Sequence, residues 1–191
     1  MNGIDLIEKH EQILLELIAA TSLWCRREVV DELRKEDGNE NARWYLNIRR
    51  FRKNKEVLRS YVDGDFLDGN SKANAAIKAA LGYNGKVEKF HTCHIYDDES
   101  ETYDRNFYCA IPNLVLIPSS IHSLADHLPE CKKTLRYRAY ELYGFYKGSK
   151  PIKPKNYDSL KELWHPYVGS LDRALQSVKR RRSTLKPKVK S

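Results

Sequence analysis

No two cysteines of this chain stand close enough for a C-x-x-C pair: Cys25, Cys93, Cys109 and Cys131 are the full complement. Such spacing indicates neither a disulfide framework nor a zinc knuckle. Long apolar runs are missing as well, which argues against a membrane-spanning helix. The opening stretch, MNGIDLIEKHEQILLEL, scatters acidic and basic residues among its apolar ones and reads as a helix, not a signal peptide. A reducing cytoplasm is therefore the expected setting. Acidic residues are absent from the segment KRRRSTLKPKVKS, 179–191. A run of that kind is expected to be a disordered basic tail that contacts nucleic acid or nothing in particular.

What is present suffices for a core, with 41% hydrophobic residues in 191. The formal net charge of +8 is unevenly spread: +1 over residues 1–86, −5 over 87–128, +5 over 129–178 and +7 over 179–191. An acidic island between basic flanks suits a protein that neutralises phosphates with its flanks and holds a divalent cation in between. The alternative is that Asp97, Asp98, Glu99, Glu101 and Asp104 form a solvated loop.

Periodicity predicts helices over 5–20, 23–36, 40–61 and 71–81, the last capped by Ser71 and closed by Gly82. The third would carry the run RRFRKNK, which makes Arg49, Arg50, Arg52 and Lys53 candidates for phosphate contact; an ordinary solvated helix face is the competing reading. Beyond a boundary at 82–85 the pattern turns extended: VEKFHTCHI, then NFYCAIPNLVLIP, then a short helix SIHSLADHL. Pro129 opens a further helix through residue 146, whose Arg136 and Arg138 beside tyrosines are candidates for nucleic-acid contact or for a half-buried surface. The fold class is thus α+β, mostly helical with a small ββα unit. The organisation is a helical, candidate DNA-binding region (1–84), a core with its following helix (85–147), a linker with C-terminal helices (148–178) and the basic tail (179–191), where Arg180, Arg181 and Arg182 are further candidates.

Four of the six histidines lie between His91 and His127. His94 ends the first strand, Asn113 begins the second apolar run, and His122 follows Asn113 after eight intervening residues. Asp126 is four residues beyond His122, on the same helix face, so the two side chains can grip one ion.

This stretch resembles the HNH endonuclease family, whose ββα-metal motif places a histidine at the end of one strand and an Asn-x8-His pair across the next strand and helix. The likeness covers roughly residues 88–130 and rests on NLVLIPSSIH together with His94. It implies phosphodiester hydrolysis with one divalent cation, Mg2+ or Mn2+. His94 would be the general base, Asn113 would fix the loop that orients it, and His122 would bind the metal with Asp126. Cys93 stands where the family usually has an Asp or His ligand; a thiolate there would favour Zn2+. His91 would be a supporting partner. The family's zinc-knuckle cysteines are absent, so packing from the N-terminal helices and residues 129–146 would have to support the motif.

The expected function is a DNA endonuclease, of a restriction or phage type. Two alternatives are a binding protein with a structural metal, and a ribonuclease or toxin on the same core. A homodimer would address both strands of a duplex, an expectation from symmetry alone.

Overall fold

In the computed structural model, residues 3–49, 66–68, 70–84, 88–97, 104–164 and 169–185 are described, those at 3–8, 47–49, 66–68, 124–126 and 182–185 by backbone alone. The architecture is α+β and mostly helical. Helix α1 (Gly3–Thr21) turns Leu15, Ile18 and Ala19 inward at helical spacing. The short α2 (Arg27–Arg34) buries Val29, Val30 and Leu33. Its start is later than the periodicity predicts. Leu23 is instead extended, exchanging backbone hydrogen bonds of 2.9 and 3.2 Å with Leu116.

The helix expected over 40–61 does not form in its first part. Ala42 has a left-handed φ of 52°, and residues 42–44 run alongside 109–111, with the Trp44 amide donating to the Cys109 carbonyl at 2.9 Å. Trp44 is buried, and this long-range pairing overrides the local period. Strand β1 (Asn47–Arg49) follows and pairs in parallel with β2 (Phe66–Asp68). Arg49 thus sits on a strand; Arg50, Arg52 and Lys53 lie outside the described residues.

Helix α3 (Ser71–Leu81) matches its expected limits, although Asn70, at φ 58°, takes the N-cap position assigned to Ser71. Gly82 ends it with φ 61°, and a Cβ there would stand 2.1 Å from the Ser170 carbonyl oxygen. Only glycine permits that approach.

Strands β3 (Phe90–His94) and β4 (Leu114–Pro118) are antiparallel, His94 opposite Leu114 and Phe90 opposite Pro118. Helix α4 (His122–His127) comes next, then α5 (Pro129–Tyr143), which starts on proline and ends at the left-handed Gly144. After α6 (Tyr157–Leu160), the long α7 (Leu171–Leu185) packs on α2 and α3.

Helix α7 corrects the expectation of a disordered tail from 179, since it continues to Leu185. Ala174 and Val178 are buried, and one turn further Arg181 bonds both Glu36 carboxylate oxygens, at 2.5 and 2.7 Å. Buried hydrophobics from Leu15 to Val178 form one cluster, so the N-terminal helices and the histidine-bearing strands share a core. No helix among the described residues is long and apolar enough to cross a membrane.

Candidate functional site

Strand alternation sends His91 and Cys93 to one face of β3 and Thr92 and His94 to the other. The loop returning from β3 is tightened at its far end, where Phe107 and Tyr108 donate their amides to the Asp104 carbonyl at 3.0 Å. Asn113, completely buried, then ties both ends of the loop together. Its Oδ1 accepts the Tyr96 amide at 2.8 Å, and its Nδ2 donates to the carbonyls of Tyr96 (3.2 Å) and Phe107 (3.0 Å). The Ile95 amide bonds the Asn113 carbonyl at 2.9 Å. Asn113 thus joins Tyr96 to Phe107.

His94 benefits from that clamp. Its Nε2 lies 3.1 Å from the Tyr108 carbonyl, and its ring stacks on the Tyr108 ring at 4.9 Å and 8°. A carbonyl only accepts, so Nε2 carries the proton, and in the neutral ring the basic lone pair belongs to Nδ1. Tyr108 is itself anchored: its hydroxyl donates to Asn70 Oδ1 at 3.0 Å and accepts the Asn70 amide at 2.9 Å. Tyr108→Phe is expected to cost about 1–2 kcal/mol in urea unfolding while keeping the stack on His94. A larger loss would mean that the hydroxyl organises the loop as a whole.

His122 has a corresponding arrangement. Its Nδ1 lies 3.0 Å from the Ser119 carbonyl and so donates to it, which leaves the Nε2 lone pair for a ligand, as a metal-binding histidine requires. Its ring lies flat on that of His91, with centroids 3.9 Å apart and planes 5° from parallel. The structure therefore brings His91 directly against His122. Cys93 is 6% exposed, with its Sγ 4.0 Å from the His91 carbonyl. Asp126 stands one turn beyond His122 in α4; its side chain is outside the described residues. Among the described residues, no three His, Cys, Asp or Glu side chains are grouped to hold a metal.

The candidate arginines divide into separate environments. Arg136 donates from Nε to the Ile95 carbonyl at 3.3 Å and lies over the Tyr96 ring at 4.9 Å. Arg138 bonds Glu141 at 2.8 Å and covers the Trp164 ring at 5.1 Å. Arg181 joins Glu36 to the carbonyls of Arg43 and Trp44, its side chain only 8% exposed. These three brace the fold, whereas Arg180 is exposed on α7. The side chains of Arg49 and Arg182 fall outside the described residues.

Sequence reasoning passed over Tyr108, Asn70 and Arg43. Arg43 reaches Asn106 Oδ1 at 2.7 Å and so holds the same loop from the N-terminal side. Arg43 and Asn106 lie 63 residues apart, and no local pattern marks such a pair. Asp97, read as a metal-favouring or solvated carboxylate, pairs with Lys132 of α5 at 2.8 Å. Cys131 and Cys109 are buried, and burial pushes the Cys131 thiol up to about 11, with Glu11 and Glu130 adding to it.

Comparison with protein-family models, curated proteins and solved structures gives no match to this chain.

Proposed function

We propose that the chain is a divalent-metal-dependent endonuclease of the HNH kind, hydrolysing phosphodiester bonds of DNA. The observation that carries this reading is the setting of His94. The Tyr108 carbonyl, on a loop that the buried Asn113 clamps, bonds Nε2 of a neutral imidazole and fixes its orientation. The order of β3, β4 and α4 supports it, although His122 stacks on His91, which leaves β3 on the face opposite to His94.

In this mechanism the His94 imidazole takes a proton from the attacking water. Tyr108 and Asn113 keep the ring aimed, so little reorganisation accompanies the proton transfer. His122, with Asp126 one turn beyond it in α4, would hold the cation, and His91 would support His122 from its stacked face; Cys93 shares the His91 face of β3. When bound, the cation supplies charge stabilisation at the scissile phosphate and the departing oxygen. The net charge of +8 favours approach to a polyanion.

The test is incubation of supercoiled plasmid with the purified protein in EDTA and in magnesium, manganese or zinc. Nicked or linear product is expected with a metal and absent in EDTA, and His122→Ala is expected to lower cleavage at least about tenfold. Salt-sensitive DNA binding without cleavage of DNA or RNA in any metal would overturn the reading in favour of a binding protein.

A further inference from the structure

Helix α1 is apolar on two sides. Leu15, Ile18 and Ala19 enter the core, while Ile13 and Leu17 on the opposite side are 50% and 43% exposed. Together with Leu14, Ile121 and Leu128 they line an open, predominantly apolar groove of about 520 Å³ between α1 and the segment around α4. A helix with apolar residues on both faces calls for cover on both.

The charges on α1 point to what covers it. Lys9 and Glu16 are exposed and stand on one edge of the Ile13–Leu17 stripe, one turn on either side of Ile13. If two α1 helices cross antiparallel about Ile13, Lys9 of each copy meets Glu16 of the other, and the match occurs twice by symmetry. His10 lies on the other edge of the stripe, lining the groove. Glu16 accepts a bond from Gln12 at 2.9 Å through one carboxylate oxygen, and a carboxylate can accept on both. A two-fold axis needs this self-complementary pattern, and an unrelated partner does not.

We infer that this face of α1 is the interface of a homodimer: two copies pair their α1 helices antiparallel, with Ile13 against Ile13 and Leu17 entering the groove beside Ile121 and Leu128. The inference stands apart from the nuclease reading, because it uses none of the histidine chemistry.

The experiment is sedimentation equilibrium and light scattering on the full chain. The wild type is expected to be a dimer, and Ile13→Glu and Leu17→Glu, both at exposed positions, are expected to be folded monomers by circular dichroism. Lys9→Glu and Glu16→Lys are each expected to weaken the dimer about tenfold, through two symmetric rim pairs. The double swap Lys9→Glu with Glu16→Lys is expected to restore it. A wild type that stays monomeric at every concentration, a dimer untouched by Ile13→Glu, or a double swap no tighter than its single variants would each overturn the proposal.

Discussion

Asn113→Ala is expected to destabilise the protein by about 3–5 kcal/mol, read as a lower urea midpoint. The side chain is completely buried and serves one backbone amide and two carbonyls, of Tyr96 and Phe107. Alanine takes this partner from the Tyr96 amide and carbonyl, while the Phe107 carbonyl keeps the Ala110 amide at 3.1 Å, and each buried group deprived of its bond costs about 1–3 kcal/mol. The total falls below the simple sum because the loop relaxes. Asn113→Asp is expected to fare no better, since an ionised carboxylate cannot donate to the two carbonyls and would be buried as a charge. A loss below about 1 kcal/mol for the alanine variant would show that the loop holds its shape through other contacts.

His94→Gln is expected to separate chemistry from structure. The glutamine amide can still donate to the Tyr108 carbonyl that His94 Nε2 contacts at 3.1 Å. It has no basic lone pair at neutral pH, however, so plasmid cleavage is expected to fall by about 10²–10⁴ while DNA affinity changes little. Stability should change by no more than about 1 kcal/mol, since one hydrogen bond on a half-buried ring is exchanged for another. Cleavage retained within a few-fold would remove His94 as the base. Loss of folding together with cleavage would instead assign it a structural role.

His94, Asn113 and His122 were legible because each lies where a strand or helix begins or ends, and spacing alone puts them in one ββα unit. The partners that orient them were not. Tyr108, Ser119 and Asn70 act through backbone carbonyls or across long separations, and a carbonyl has no signature in the side-chain pattern. His91 was given a lesser place, yet it is the ring in direct contact with His122.

Among the elements, α1 and α3 were read closely because their apolar residues recur at helical spacing. The apolar residues of 40–49 suit a helix, yet Trp44 is held extended by Cys109 and Arg181. The basic charge of 179–182 suggested a tail. It concealed that Val178 and Arg181 face inward on α7, where Arg181 meets a carboxylate more than a hundred residues away.

The ties from Arg181 to Glu36 and Arg43 span 145 and 138 residues. Closing loops of that length costs entropy before any contact rewards it, so these bonds belong late in folding. The β3–β4 pair, far more local, can form well before them. During synthesis the site-bearing strands therefore emerge and pair while the groove for α7 still stands open on α2 and α3. Only when residue 181 has left the ribosome can the chain close around its own beginning.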